Sequence, residues 1–240
     1  MQAIDQEICY IFILMSKICL IVTSLFIFNC AHGQKSPFLS QDTPPVNGAV
    51  NIVVSSLDEN DGDSYFADAE KNERRGDLND AVTLFGKAAF EYNSSKKFVQ
   101  YGSALLRLAH VHYLLAHYAE AEQVTLNVAL KNYSKIGSKT GQMESYNQLG
   151  KIYLAAEKLT QSLWFYTQQG IVAKQIGDNN AYIDSVLGLA QVKTKKKEYS
   201  LAIKDLNRAE LLAKSSKLSR FKTQIREARA LIPAKATVKK

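Results

Sequence analysis

The chain has 240 residues, of which 46% are hydrophobic, and it carries a formal net charge of +7. This length suffices for one substantial core or for one extended array of repeats. Its 4 prolines and 12 glycines are few, and β-branched residues rarely alternate with polar ones, so the composition favours an all-helical body over sheet-based classes. All three cysteines lie within residues 1–30, which excludes a disulfide framework and a cysteine metal site from the remainder.

Residues 1–33 have the pattern of a secretory signal peptide. An apolar run over residues 18–28 follows Lys17 and precedes a small-x-small site at residues 31–33. We expect cleavage after Gly33 and export of the folded part to the periplasm or the cell envelope.

Other interpretations of this segment stay open. Asp5 and Glu7 are unusual in the basic region of a signal peptide, which favours a translation start at Met15. Residues 8–28 contain one lysine and are long enough to span a bilayer as an uncleaved anchor. A third interpretation is lipidation of Cys30, although the residues before it fit that signal badly. Membrane contact is expected only if the segment is retained.

Residues 34–61 contain three of the prolines and few large apolar side chains, so we expect a flexible linker there. The central stretch, residues 145–177, predicts two amphipathic helices, because apolar residues recur in it at three- and four-residue spacing. The first helix should end near Ala156 and the second should begin near Leu159. Gly150 and Ser162 are small enough for the two helices to approach closely.

This pattern occurs four times, with successive spacings of 40, 41 and 40 residues. The small residues of the first helices are Ala69, Ala109, Gly150 and Ala190, and those of the second helices are Ala81, Ala121, Ser162 and Ala202. Large residues stand at each turn, namely Leu78, Tyr118, Leu159 and Tyr199. A further series down the second helices is Phe85, Thr125, Tyr166 and Leu206, in which threonine is the weak member. Gly137 and Gly177 repeat a helix-ending signal.

Small residues at two fixed positions, with large residues at the turn and beyond it, resemble the tetratricopeptide repeat pattern, here lengthened from 34 residues to about 40. The resemblance covers roughly residues 62–216, with repeats at about 62–101, 102–142, 143–182 and 183–216. It implies an all-α fold, a right-handed α-solenoid of four helix-turn-helix repeats. The first repeat departs from the pattern at Asp68 and Asn72, and the fourth departs at Lys193.

A C-terminal capping helix is predicted over residues 217–232, and we expect a disordered basic tail over residues 233–240. Pro233 should end this helix. Its apolar stripe is Phe221, Ile225 and Ala228, continued by Leu231 or Ile232.

Enzymatic chemistry has little support in this sequence. His110 and His117 stand seven positions apart, about 10 Å along a helix, which is too far to share one zinc ion. His112 occupies a position where the repeat has an aromatic core residue. No zinc-protease, phosphate-loop or nucleophile-elbow motif occurs, so we expect no enzyme, no metal and no cofactor. A lysine run over residues 193–197 is typical of a solvated helix end, so we expect no nucleic-acid partner.

The resemblance implies that one face of the first helices forms a concave groove for a protein or peptide partner. Carried over to this sequence, its lining residues are Phe66, Glu70, Glu73, Arg74, Leu106, His110, Tyr113, Leu114, Asn147, Lys151, Leu154, Ala155, Leu187, Gln191, Thr194 and Lys195. The set mixes apolar and polar groups as protein-binding surfaces do. The leucines have an equally good explanation in packing between neighbouring first helices.

Trp164 stands where the sister repeats have polar residues, so we expect it on the outer surface, as a partner anchor or packed on a neighbouring side chain. Together these features predict an exported, non-enzymatic scaffold or adaptor that binds a partner in its groove. The alternatives are an extracytoplasmic module that recognises a small molecule or a glycan, and a structural protein that associates with itself through the edge of the first repeat.

Overall fold

The computed structural model describes residues 61–233, and the structural statements below concern this part. The signal peptide with its cleavage after Gly33, the start at Met15, the anchor, the lipidation of Cys30, the linker before Asp61 and the tail after Pro233 all lie outside the described residues.

Nine helices and no strand make up the described part. They are α1 (Asp61–Arg75), α2 (Leu78–Ser94), α3 (Phe98–Leu114), α4, α5 (Lys139–Ala155), α6 (Leu159–Ile176), α7 (Asn179–Lys195), α8 (Tyr199–Ser215) and α9 (Phe221–Ala230). Helix α4 is continuous but composite, with α-helical Tyr118–Glu122, π-helical Gln123–Ala129 and α-helical Leu130–Lys135. The ends expected near Ala156 and Leu159 are confirmed to within one residue.

The helices pack in consecutive pairs, α1 with α2, α3 with α4, α5 with α6 and α7 with α8. The odd-numbered helices also contact one another from α3 to α5, from α5 to α7 and from α7 to α9, and we call them the first layer. The even-numbered helices form the second layer. The prediction of an all-α fold is confirmed, and this stacking of pairs is consistent with an α-solenoid.

The small residues of both series are buried at the contact within each helix pair, as the spacing predicted. In the third pair the approach is close enough for the Ser162 hydroxyl to donate a hydrogen bond of 2.8 Å to the carbonyl oxygen of Gly150. A Cβ atom built on Gly150 would lie 2.8 Å from a side chain of the partner helix, so a larger residue there would displace that side chain or separate the two helices.

Each turn between successive described helices contains one residue in the left-handed backbone region. Three of these residues are the glycines at 76, 137 and 177, and the other five are Lys96, Ala116, Glu157, Lys197 and Lys217. The residue that follows donates its N–H to a carbonyl in the last helical turn, as Asp178 does to Ala173 at 2.9 Å. This is the Schellman geometry, which satisfies the last carbonyls of each helix. The glycine-ending signal of the sequence therefore marks three of the eight turns.

The stretch from the start of α4 to the left-handed residue of the following turn is one residue longer than in the other pairs. Tyr118 and Gly137 are 19 positions apart, whereas Leu159 and Gly177 are 18 apart. The extra residue explains the single spacing of 41, and the π-helical turns absorb it without displacing the buried residues on either side. Thr125 lies inside this segment, fully buried, and its hydroxyl donates to the Ala121 carbonyl at 2.7 Å.

Helix α9 shares a core cluster with α7 and α8, into which it inserts Phe221 and Ile225. Of the two residues that could continue the apolar stripe, Ile232 is buried, with 7% of its surface exposed, and Leu231 is 70% exposed. Helix α9 contacts both α7 and α8. It therefore lies at the position where the first helix of a further pair would pack.

Candidate functional site

A cavity of about 450 Å³ lies on the first layer over α7, between α5 and α9. Helix α5 contributes Asn147 and Lys151, and α9 closes the far side with an exposed polar face. The remaining lining residues are Tyr166, Asp184, Leu187, Gly188, Gln191, Gln224, Glu227, Ala228 and Leu231. A volume of this size lies within the range of sites that hold small ligands.

Tyr166 reaches this cavity from the second layer. The Cδ1–Cε1 edge of its ring enters the contact between α5 and α7, where each helix has a glycine. A Cβ atom built on Gly150 would lie 2.8 Å from these ring atoms, and one built on Gly188 would lie 2.5 Å from them. The two glycines thus form a slot for the ring, since any side chain on either one would overlap with it.

A similar slot holds Tyr133 between the first-layer helices α3 and α5. Cβ atoms built on Gly102 and Gly141 would lie 2.4 Å and 2.1 Å from its ring. Its hydroxyl lies 3.4 Å from that of Ser103. Tyrosine rings from the second layer therefore fill two successive junctions of the first layer.

The hydroxyl of Tyr166 has no hydrogen-bond partner within residues 61–233, although only 3% of the residue is exposed. Burial raises the pKa of this phenol above its usual value, and Tyr113 and Asp184 raise that pKa further. Tyr166 is also one of the residues that line the cavity. It thus adds a hydroxyl without a described partner to the lining of the site.

The cavity carries charges of both signs. Burial raises the pKa of Asp184, while the positive charges of Arg220 and Lys151 oppose that rise. The guanidinium of Arg220 lies 3.7 Å from the Asp184 carboxylate. Lys151 and Glu227 line the cavity without an ion-pair partner in the described part of the chain.

The first half of the same layer carries a connected group of charges centred on Arg107. Its guanidinium lies 2.6 Å from the Glu73 carboxylate and 3.6 Å from that of Glu70, which ties α1 to α3. Burial raises the pKa of Glu73, and Arg107 opposes the rise. Burial also lowers the pKa of His110, and the positive charges of Arg107 and Lys151 lower it further. The influence of Lys151 on His110 connects this group to the cavity.

Four of the residues predicted for the groove line the cavity together, namely Asn147, Lys151, Leu187 and Gln191. A hollow of about 210 Å³ adjoins it and shares Gln191, Ala228 and Leu231 with it. Three further predicted residues, Leu154, Thr194 and Lys195, line this second hollow.

The groove residues predicted for the first two helix pairs do not line the cavity over α7. Phe66 packs edge-on against Phe85, with ring centroids 5.3 Å apart, and Leu106 packs against a neighbouring core cluster. Glu70 and Arg74 lie within ion-pair distance of each other, at 4.0 Å. The ring of Tyr113 stacks against that of His110 at 6.1 Å between centroids, and 46% of Leu114 is exposed. Ala155, at the end of α5 in the third pair, is partly exposed and lines neither hollow.

Seven of the eleven cavity residues were not predicted for the groove, and those with polar side chains are Tyr166, Asp184, Gln224 and Glu227. Tyr166 was assigned to a core series, and only the glycines at 150 and 188 could have indicated that it reaches through the first layer. The polar face of α9 could have indicated Gln224 and Glu227, if α9 had been interpreted as a continuation of the first layer.

Trp164 is 52% exposed and lies on the second-layer helix α6, as expected. It also packs edge-on against Phe165 and Tyr146, with ring centroids 4.7 Å and 6.2 Å away. Trp164 therefore packs on neighbouring side chains, and its role as a partner anchor stays a prediction.

The lysine run at the end of α7 is largely neutralised by nearby carboxylates. Lys193 lies 2.5 Å from Asp205, Lys195 lies 3.5 Å from Glu157, and Lys196 lies 2.7 Å from Glu198. Within residues 61–233 no group of three or more His, Cys, Asp or Glu side chains is placed to hold a metal ion.

No protein-family model matches this chain, and no curated protein sequence matches it. None of the described helices is both long enough and apolar enough to cross a bilayer.

Proposed function

We propose that this protein is an exported, non-enzymatic adaptor of the tetratricopeptide type, with four repeats in a right-handed solenoid and α9 as its cap. It binds a protein or peptide partner on its first layer. The α-helical pairs and the buried small residues at fixed spacing support the repeat assignment.

The observation that carries the binding proposal is the cavity over α7. Residues chosen from two different repeats on sequence grounds, Asn147 and Lys151 from one and Leu187 and Gln191 from the next, line the same hollow. Amide, charged and apolar groups occur there side by side, as in the interfaces of non-obligate complexes. The ion-paired residues around Arg107 extend the polar part of this face toward α1.

The test is capture of a partner from cell-envelope extract, with the full chain as bait and mass spectrometry as the readout. The double variant Tyr113→Ala with Lys151→Glu changes an aromatic and a charge on the first layer. The matched control, Phe90→Ala with Lys204→Glu, makes the same kinds of change on the second layer, where Phe90 is 68% exposed. We expect a protein that the wild type and the control capture and that the first-layer variant loses, with all three equally helical by circular dichroism. Loss with the control variant alone would move the binding site to the second layer and contradict the proposal.

A further inference from the structure

We propose that the cavity over α7 binds a short peptide with both ends free, a dipeptide or tripeptide, with its carboxylate at Lys151 and its ammonium at Glu227. This inference deepens the proposed function, on whose first-layer site it rests, by naming the class of peptide.

The two charges that carry the inference line the same cavity from different helices. Lys151 lies on α5 and Glu227 lies on α9, and α7 packs between these helices. Neither side chain forms an ion pair within the described residues. The third charged group, Asp184, lies 3.7 Å from Arg220 and is also within the electrostatic influence of Lys151. A ligand with one positive and one negative end can pair with both Lys151 and Glu227 at once, whereas an ion of one sign pairs with one and is opposed by the other.

The placement of the two charges favours an extended ligand. Lys151 and Glu227 lie on helices at opposite sides of α7, so a ligand that contacts both must extend across the cavity. An extended peptide spans roughly 3.3–3.6 Å per residue, so a dipeptide or tripeptide reaches farther between two charged ends than a single amino acid does. The cavity volume of about 450 Å³ admits a molecule of this size.

The uncharged polar groups between the two charges match a peptide backbone. Asn147, Gln191 and Gln224 each offer an amide that donates and accepts, which is what the alternating N–H and C=O groups of a peptide require. The Tyr166 hydroxyl, on a residue that lines the cavity, has no hydrogen-bond partner in the described part and can both donate to and accept from a peptide backbone. Leu187, Ala228 and Leu231 add apolar surface for small side chains.

The experiment is an NMR titration of the full chain in mild detergent, with dialanine and trialanine as probes. The blocked forms N-acetyl-trialanine and trialanine amide each lack one charge, and free alanine lacks the length. We expect the free peptides to bind and each blocked form to bind about tenfold or more weakly, which is the range of a lost charge-assisted hydrogen bond. Alanine should bind more weakly than either peptide.

Variants assign each end of the peptide. Lys151→Met should abolish the difference between trialanine and its amide, and Glu227→Gln should abolish the difference between trialanine and its acetylated form. Tyr166→Phe should weaken binding without lowering the urea midpoint, because it removes only a hydroxyl that no described group partners. A structural role for the hydroxyl would instead lower the midpoint.

Two results would overturn the inference: no binding at millimolar peptide, or equal binding of free and blocked forms. Capture of a protein partner without peptide binding would overturn only this inference. Peptide binding without any captured protein would uphold it and count against the adaptor proposal.

Discussion

The Tyr166 slot makes a sharp prediction about Gly188. Replacing it by alanine places a methyl group 2.5 Å from two ring carbons, whereas carbon atoms normally make contact at about 3.5–4.0 Å. The ring has little room to retreat toward α5, because the same ring edge already occupies the space beside Gly150. The clash must therefore be relieved by moving a buried ring or by separating two packed helices.

Overpacking of this kind costs about 1–3 kcal/mol, while the change from glycine to alanine inside a helix gains up to ~1 kcal/mol from propensity. The net expectation for Gly188→Ala is a loss of unfolding free energy on the order of 1–2 kcal/mol. Gly86, in the interior of α2, is the matched control, because a Cβ atom there meets nothing within 4 Å. Gly86→Ala should therefore stabilise the protein by the propensity gain alone.

Urea denaturation followed by circular dichroism measures both effects. Leucine is a suitable replacement for Tyr166, because the last helix pair has Leu206 at the equivalent position. In a Tyr166→Leu background, Gly188→Ala should become neutral or stabilising. The double-mutant cycle would then report a coupling free energy of about 1–3 kcal/mol between the two positions. If Gly188→Ala stabilises the wild type as much as Gly86→Ala does, the slot does not exist as described.

Three further predictions use the same denaturation assay. Ala116 has a φ of 59°, a backbone conformation that costs a residue with a Cβ atom about 1–2 kcal/mol. Ala116→Gly should therefore raise the stability of the protein, and an unchanged or lower urea midpoint would contradict this. The Nδ1 of His112 is buried without a partner, and burial lowers the pKa of this ring below 6.5. The stability that depends on a neutral His112 is therefore complete above pH 6.5 and is lost as the pH falls below that value. His112→Phe should therefore stabilise the protein and reduce its sensitivity to acid, and a steeper loss in acid would refute the reasoning. Asp205→Asn should destabilise by roughly 1–3 kcal/mol, because it leaves the half-buried ammonium of Lys193 without its carboxylate, whereas loss of an exposed ion pair would cost almost nothing.

The helices and their pairing could be predicted from the sequence because they depend on local signals. Small residues at fixed spacing, such as Ala109 and Ala190, identify the contacts within each pair, and a glycine such as Gly177 identifies a helix end. The turn at Glu157 has the same left-handed geometry without a glycine, so no local signal marks it. The single spacing of 41 residues, between the second and third repeats, indicated one extra residue, and this residue corresponds to the π-helical insertion in α4.

The site was predicted only in part, because it depends on which distant helices come together. Asn147 and Gln191 follow from the repeat, since neighbouring first helices present equivalent positions to the same face. Glu227 could not be placed without knowing that α9 packs against α7 as a further first-layer helix. Lys193 departs from the aromatic pattern, and its explanation is a carboxylate on the neighbouring helix, Asp205, which a comparison of repeats does not reveal.

Site-specific photocrosslinking in intact cells tests the central claim, that partners bind the first layer, most directly. A photoreactive amino acid is placed at Gln191, in the cavity over α7, or at Lys204, an exposed position on the second-layer helix α8. We expect a discrete protein or peptide adduct from Gln191 and none from Lys204. Adducts from Lys204 alone would contradict it.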